Sequence, residues 1–438
     1  MKQNSKKSSE RYTQIIGHGV AFIEKNFYLI LILLFVLTIL LMPSSTLIVD
    51  YNSFYLWTEQ IKLHGLQHAY DLKSNNYFPV FNYMLYIFTW IYSNLKDISA
   101  NIFYMKVPLL AFDFGSVALC AWLLKKFNNP RVYSLLILLN PAFFYNSLLW
   151  GQIESIYIFF TVASLVAAKT KHTNWSILLY VFAFYSKLQA IVFIPCLGLL
   201  LLPQFINKPK LILEGIITLL LSHVLVLFPF ILAGQVGAVY ANVASSLDLF
   251  PVVSMNAFNF WILVFGGRIT ITKDATILFI FSYKTWGMIL FLLISLVALF
   301  PMIKEFFKHP KTLPGFNLDF VYKVFLINAL ISFIFFYFPT QMHERYLQPA
   351  VIFFGMVFLL KPGKISFLTY LILSITYVAS LEKVLKAFQF PRITYVLMSP
   401  RIMSFTFGIV LVLAFFLLYR KPIAEFLERK FPKLKLAK

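Results

Sequence analysis

The hydrophobic positions of this chain form long runs, separated by short connectors that carry many of the basic residues. Asn26–Ile48, Leu211–Ala233 and Thr285–Met302 reach the roughly 17–25 residues that an α-helix needs to cross a bilayer. This pattern predicts an all-α polytopic membrane protein with about twelve transmembrane helices, which form one domain over residues 1–438. The predicted spans are 27–48, 104–124, 132–149, 153–168, 174–187, 189–203, 211–232, 284–303, 318–338, 346–360, 365–381 and 402–419. The first run lacks a small-residue cleavage site and is too long for a signal peptide, so we expect a retained helix.

Composition excludes a soluble globular protein of this length. The 438 residues are 60% hydrophobic and 13% charged, which leaves too few polar side chains to cover a water-facing surface. Cys120 and Cys196 both lie inside apolar runs, where we expect inert thiols and neither a disulfide nor a metal site.

Two long connectors interrupt the predicted spans. Residues 50–103 are polar at first and semi-apolar around Pro79, which predicts an external loop with one or two juxtamembrane helices on the membrane surface. Residues 233–283 are rich in Gly, Asn and Ser and predict a second external loop.

The net charge of +21 is distributed in a way that predicts orientation. Basic residues cluster in the tails 1–25 and 420–438 and in alternate short connectors, such as the one with Lys125 and Lys126. The positive-inside rule therefore predicts that both termini lie in the cytoplasm, and we expect a multi-pass protein of the plasma membrane. Basic residues confined to these clusters do not form the continuous polar face that nucleic-acid binding needs, so we expect no nucleic-acid partner.

With that orientation, nearly every dense polar motif falls on the outer side. The motifs are Asp50–Trp57, Tyr77–Pro79, Trp150–Glu154, Ser186–Gln189, Asn256–Trp261 and His343–Tyr346. Ionisable side chains at the ends of membrane spans are costly, so they are candidates for function. A cavity open to the outside and lined by acids, bases and aromatic rings would explain their common side.

Structural explanations exist for several of these residues. Asp50 could cap the end of the first span or lie solvated at the interface, and Glu154 could occupy a helix N-terminus, where a carboxylate is stabilised. Lys187 could extend towards lipid headgroups. Three tryptophans are more readily explained as anchors at the membrane–water interface than as ligand platforms. They are Trp57, Trp150 and Trp261. Asp113 falls within a span, where we expect it to pair with a neighbouring helix.

Taken together, the motifs resemble those of the GT-C superfamily of multi-pass glycosyltransferases, especially its bacterial mannosyltransferase-like members. Its eukaryotic dolichyl-phosphate-glucose-dependent glucosyltransferases are more distantly similar. The resemblance runs in order from Asp50 to Arg345 and includes an intact Met-His-Glu-Arg-Tyr motif at Met342–Tyr346. Phe78 replaces a proline of the family's Tyr-Pro-Pro motif, and Glu154 replaces the aspartate of its Trp-Gly-Gln-x-Asp motif.

The resemblance implies an inverting hexosyltransferase of the cell envelope that uses a polyprenyl-phosphate-linked sugar as donor. Asp50 would be the catalytic residue, and a carboxylate at the membrane surface can act as general base towards an acceptor hydroxyl. Arg345, Lys187 and His343 suit the donor phosphate, because cations and hydrogen-bond donors stabilise a leaving phosphate. Glu154 is a second candidate catalytic carboxylate. The candidates for sugar or acceptor contacts are Trp57, Gln152, Glu344, Gln189 and Asn256.

The expected partners are the lipid-linked sugar, a lipid or polymer acceptor and membrane lipid. No cofactor is expected: a divalent metal between Asp50 and Glu154 is permitted but not required. The sequence leaves two other classes open. A transporter or lipid flippase would place charges at mid-bilayer on broken, repeated helices, and a non-catalytic scaffold would need no polar cavity.

Overall fold

The computed structural model describes residues 17–44, 46–312, 315–388 and 399–430, with side chains described to residue 423. The protein is 78% helical with almost no sheet, so the all-α prediction is confirmed. The predicted tails 1–25 and 420–438 lie partly outside the described residues. The helices are α1 Gly17–Lys25, α2 Phe27–Leu40, α3 Ile48–His64, α4 Pro79–Ile91, α5 Leu95–Asn101, α6 Lys106–Lys126, α7 Leu135–Leu138, α8 Pro141–Phe144, α9 Glu154–Lys169, α10 Thr173–Phe184, α11 Ile194–Asn207, α12 Lys210–Leu232, α13 Val236–Ala244, α14 Phe260–Phe265, α15 Tyr283–Lys308, α16 Leu318–Tyr337, α17 Gln348–Leu360, α18 Lys364–Leu385 and α19 Pro400–Lys430. A short hairpin pairs strands β1 Ile277–Leu278 and β2 Phe281–Ser282.

In the described part of the chain, seven helices are long and apolar enough to cross a membrane, and up to nine if each of two bent pairs is one span. The seven spans are Leu95–Lys126, Leu188–Asn207, α12, α15, α16, α18 and Pro400–Ile423. Three predicted spans form shorter helices, because α9, α10 and α17 have 16, 12 and 13 residues. The bent pairs are α1 with α2, at 84°, and Arg131–Leu138 with Pro141–Trp150, at 62°.

The first predicted span ends earlier than expected. Helix α2 stops at Leu40, and a connection through Pro43 leads into α3, which carries Asp50 in its first turn. Proline disfavours helical geometry in the residue before it and has no backbone N–H for a helix hydrogen bond. Asp50 therefore lies at the start of a new helix rather than at the end of the first span.

The connector 50–103 is largely helical. It contains α3, α4 and α5. Helix α4 begins at Pro79, and proline is common at the first position of a helix because no backbone N–H is needed there. Buried aromatic rings of α3 and α4 pack together, with Phe54 4.9 Å from Phe81 between ring centroids. This packing fixes the first turn of α3 against the rest of the domain.

The core is centred on α16 and α17. In α16, 89% of the 18-residue apolar stretch that could cross a membrane is buried inside the protein. In α12 and α15 only 28% of the corresponding stretch is buried. A 26-residue apolar helix as exposed as α15 needs lipid around it, because so much hydrocarbon is unfavourable in water. Cys120 and Cys196 are buried free thiols, and Asp113 is 1% exposed on α6, next to Ser147.

Candidate functional site

The polar motifs meet around one cavity of about 870 Å³. Eight of the predicted site residues line it: Asp50, Trp57, Lys187, Gln189, Asn256, His343, Glu344 and Arg345. Gln152 and Glu154 do not line it, and both are fully buried. The cavity is bordered by helix ends, because Asp50 opens α3, Lys187 follows α10 and Arg345 precedes α17.

Asp50 is half-buried and held by two hydrogen bonds to the same oxygen. Trp150 Nε1 and Gln152 Nε2 each donate to Asp50 Oδ2 at 2.8 Å. Gly151 joins the two donors with φ +81°, and a Cβ there would lie 3.0 Å from the Tyr51 hydroxyl. The Trp-Gly-Gln turn therefore positions the carboxylate, and Gln152 contacts Asp50 instead of facing the cavity as a substrate ligand.

The tryptophans lie inside the protein, so the interface-anchor interpretation was wrong. Trp57, Trp150 and Trp261 are all at most 4% exposed. Trp261 Nε1 donates to the Phe338 carbonyl at 2.7 Å, and Trp57 lines the cavity. Within the described residues, the indole N–H of Trp57 has no hydrogen-bond partner.

Glu154 lies behind the cavity wall as the counter-charge of two cations. Lys187 Nζ donates to Glu154 Oε1, and Arg345 Nε lies 3.7 Å from the same oxygen. Asn146 Nδ2 donates to Oε2 at 3.0 Å. Because Glu154 has no exposed surface, it can act on a ligand only through these neighbours.

The two cations rest on aromatic rings. The Arg345 guanidinium lies 5.9 Å from the Trp150 ring centre and 5.7 Å from that of Tyr346. Lys187 Nζ lies 5.2 Å from the Tyr346 ring and 5.8 Å from the Tyr77 ring. Ring faces attract cations and restrict their rotamers, so both charges are held at the cavity wall before a ligand arrives.

His343 is half-buried between the rings of Phe250 and Tyr346, at 5.5 and 5.3 Å between centroids. Burial lowers the pKa of His343 well below its ordinary value, and the positive charges of Arg345 and Lys187 lower it further. The imidazole is therefore neutral near pH 7 and carries one N–H donor.

Glu344 is 1% exposed, and Arg345 Nη1 lies 3.4 Å from its Oε1. Burial raises the pKa of Glu344, and the charge of Arg345 partly opposes that effect. Arg345 thus lies between two carboxylates, those of Glu154 and Glu344, while its own side chain keeps 13% of its surface exposed.

The motif Asn256–Trp261 supports the loop that carries His343. Met255 N donates to the Met342 carbonyl at 2.9 Å, and Asn259 Nδ2 faces the carbonyls of Phe336 and Pro339. Asn256 adopts φ +60° and lines the cavity beside this loop. The motif thus holds this loop mainly through the side chains of Asn259 and Trp261, and Asn256 is its member at the cavity surface.

Sequence reasoning missed two acids that hold the same loop. Asp274 Oδ2 accepts hydrogen bonds from Thr340 Oγ1 at 2.9 Å and from Gln341 Nε2 at 2.8 Å. Asp248 pairs with Lys284 and also accepts from Gln341 Nε2, at 3.1 Å. Both acids come from the connector 233–283, where neither belongs to a motif that would mark it as functional.

Chemically, the cavity joins a carboxylate at one wall to a guanidinium and an ammonium at another. Arginine suits phosphate oxygens. Amide groups suit sugar hydroxyls, and aromatic rings suit the faces of sugar rings. Among the described residues, no group of three or more His, Cys, Asp or Glu side chains could hold a metal ion. No known protein family matches this sequence, and no curated protein matches it.

Proposed function

We propose that this protein is an inverting glycosyltransferase that moves a hexose from a polyprenyl phosphate to an acceptor hydroxyl. The observation that carries the proposal is the single cavity lined by Asp50, Lys187 and Arg345. The ordered motif resemblance from Asp50 to Tyr346 supports the same conclusion. A base and a phosphate-binding pair are the two groups that this reaction needs, and both face one space.

In the proposed reaction, the acceptor oxygen attacks the anomeric carbon while the carbon–oxygen bond to the phosphate breaks. Asp50 takes the acceptor proton, and the two hydrogen bonds at Oδ2 leave Oδ1 as the oxygen for this transfer. The phosphate leaves as an anion, so it needs stabilisation and no proton. Gln152 and Trp150 orient the base through these two hydrogen bonds.

Arg345 and Lys187 bind the donor phosphate through the faces of their head groups turned away from Glu154. Glu154 is then a positioning residue: it holds both cations in place and limits their mutual repulsion. His343, as a neutral imidazole, donates one hydrogen bond to the phosphate or the sugar.

The remaining cavity residues bind the sugar or the acceptor. Trp57 lines the cavity, where its indole ring can pack against a sugar ring. Glu344, Gln189 and Asn256 supply further polar groups at the cavity surface.

The polyprenyl chain lies against the apolar side of the cavity, which Leu47, Leu188, Ile191, Met288 and Phe335 line. We place the protein in the plasma membrane with twelve crossings, both termini in the cytoplasm and the cavity outside. The three short helices α9, α10 and α17 complete this count. No cofactor takes part in the proposed reaction.

Reconstitution in lipid vesicles tests the proposal. Purified protein is incubated with a panel of polyprenyl-phosphate hexoses and envelope lipid extracts, and mass spectrometry follows new glycosides and released polyprenyl phosphate. Donor-dependent transfer is the expected result. Movement of an intact lipid-linked sugar across the bilayer without cleavage would instead identify a transporter or flippase.

A further inference from the structure

The hairpin β1–β2 exposes an apolar tip outside the membrane spans. Residues 275–281 are all exposed, and the strands pair Ile277 with Ser282 and Leu278 with Phe281. Phe279 and Ile280 form the two-residue turn, and they are 88% and 74% exposed. Five consecutive apolar residues on a protruding hairpin are unfavourable in water and mark a contact surface.

The turn itself is unusual for a hairpin in water. Phe279 has φ +58°, the left-handed region in which glycine and asparagine are the usual residues of short hairpin turns. In that region a side chain comes too close to the following carbonyl oxygen, so the conformation is unfavourable. A large apolar residue at this position therefore needs a compensating contact for its ring.

The hairpin is fixed to the start of α15. Trp286 Nε1 donates to the Leu278 carbonyl at 3.0 Å, and the rings of Phe281 and Trp286 are 5.3 Å apart. Tyr283 N donates to the Thr276 carbonyl at 3.1 Å. These contacts set the height of the tip relative to the first turn of the helix.

The exposed surface continues directly onto α15. Its outward side chains include Leu292, Leu293 and Leu296, each between 54% and 57% exposed, on a helix apolar enough to span a membrane. Tyr283 and Trp286 at the helix start are residue types that favour the membrane–water boundary. Arg268 and Lys273 are exposed in the segment before the hairpin, where anionic headgroups would neutralise them.

We infer that the hairpin Ile277–Ser282 inserts its tip among the lipid acyl chains at the membrane surface and anchors the connector 233–283 there. The partner is phospholipid in the leaflet that meets the N-terminal end of α15. Because Lys284 and Met288 of α15 line the cavity, this anchor fixes the height of the cavity opening relative to the lipid surface. The inference requires a membrane protein but not a glycosyltransferase.

Site-directed spin labelling of the full chain in anionic liposomes tests this inference. Cys120 and Cys196 are buried, so introduced cysteines can be labelled selectively. Labels go at Phe279→Cys and, on regular strand backbone, at Ile277→Cys. Leu292→Cys on α15 serves as the lipid reference, and Lys73→Cys at the exposed cavity edge serves as the aqueous reference.

The measured quantity is the ratio of label accessibility to oxygen, which partitions into lipid, and to a nickel chelate, which stays in water. We expect ratios at 279 and 277 close to that at 292 and several-fold above that at 73. Ratios equal to that at 73 would overturn the inference. Low accessibility to both reagents, with spin–spin coupling between two copies, would identify a second chain as the partner and overturn it equally.

Discussion

At the residue scale, the function rests on how a few charged side chains are held. In the proposed reaction Asp50 is the base, since it is the half-buried carboxylate whose hydrogen-bond donors, Trp150 and Gln152, both meet one oxygen. Glu154, the other candidate, has no exposed surface and contacts two cations. Two carboxylates with such different surroundings have different tasks.

Asp50→Asn is expected to lower hexose transfer by about 10²–10⁴-fold, since an amide cannot accept the acceptor proton. The measurement is turnover in vesicles with a saturating lipid-phosphate sugar. Asp97→Asn, the same exchange at an exposed position of α5 away from the cavity, is the matched control and keeps full activity. Turnover near the normal rate in Asp50→Asn would remove the base assignment.

Glu154→Gln is expected to destabilise the fold and weaken the donor site. Loss of the carboxylate leaves Lys187 and Arg345 without their shared counter-charge, a change that costs about 3 kcal/mol in buried pairs. Thermal unfolding in detergent and the KM for the donor report the two effects. A pure loss of kcat with unchanged unfolding temperature and KM would instead make Glu154 a catalytic group.

His343 predicts a pH dependence of stability. Its pKa in the folded protein lies well below the ordinary 6.5, because burial and nearby cations disfavour the charged form. Between those two pKa values the unfolded chain binds more protons, so stability falls as the pH drops below 6.5, by at most about 1.4 kcal/mol per pH unit.

The check is the unfolding temperature of wild type and His343→Gln between neutral and mildly acidic pH. The variant is expected to lose stability less steeply on acidification, because glutamine binds no proton. Identical slopes for the two proteins would contradict a neutral, buried imidazole.

At the element scale, the loop before Tyr346 depends on the close approach of α15. A Cβ on Gly287 would lie 2.7 Å from the Phe338 carbonyl oxygen and 3.1 Å from Pro339 Cα, both of them backbone atoms that cannot swing aside. This contact lets α15 pack directly against the chain that leads to His343, and the hydrogen bonds at Asp274 secure the same stretch.

Gly287→Ala is therefore expected to cost about 1–3 kcal/mol by overpacking and to lower transfer by shifting the loop. Gly198→Ala in α11 is the matched control, because nothing lies within 4 Å of its added Cβ. There we expect a gain of roughly 0.5–1 kcal/mol from helix propensity. Thermal unfolding of both variants tests the contrast, and equal effects would contradict it.

The apolar pattern located most helices but not where they break. The long apolar run Leu211–Ala233 predicts α12, which continues past Pro229 to Leu232. The end of α2 before Pro43 and the separation of α9 from the preceding helix depend on local backbone geometry. Residues Tyr145–Trp150 form a π-helical turn, which inserts an extra residue per turn that periodicity does not reveal.

That turn explains why the site was only partly predictable. Spacing placed Asp50, Lys187 and Arg345 at span ends, and the cavity brings them together. It could not show that Glu154 points behind the wall, because its direction is set by the turn before α9. The roles of Asp248 and Asp274 were equally hidden, since each depends on contacts with Gln341, 93 and 67 positions away.

At the scale of the whole molecule, orientation is the property that charge distribution predicts most directly. Helix α6 begins at Lys106, whose Nζ lies 5.9 Å from the ring centre of Tyr51, the residue after Asp50. Lys125 lies at the other end of α6, whereas Lys73 borders the cavity. The positive-inside rule places Lys125 in the cytoplasm and the cavity outside.

Cysteine labelling of intact cells with a membrane-impermeant maleimide tests that orientation. Lys73→Cys is expected to react, and Lys125→Cys to react only after the cells are lysed; both positions are exposed and the native thiols are buried. The opposite order would invert the topology and place the cavity in the cytoplasm.

One side chain touches both halves of the proposed chemistry. The indole of Trp150 meets the Asp50 carboxylate with its N–H edge and the Arg345 guanidinium with its face. It therefore acts as a rigid spacer whose width sets the gap between proton acceptor and leaving group. Any displacement of the indole would move the Asp50 carboxylate and the Arg345 guanidinium together. The distance between these two groups is therefore maintained by a single ring.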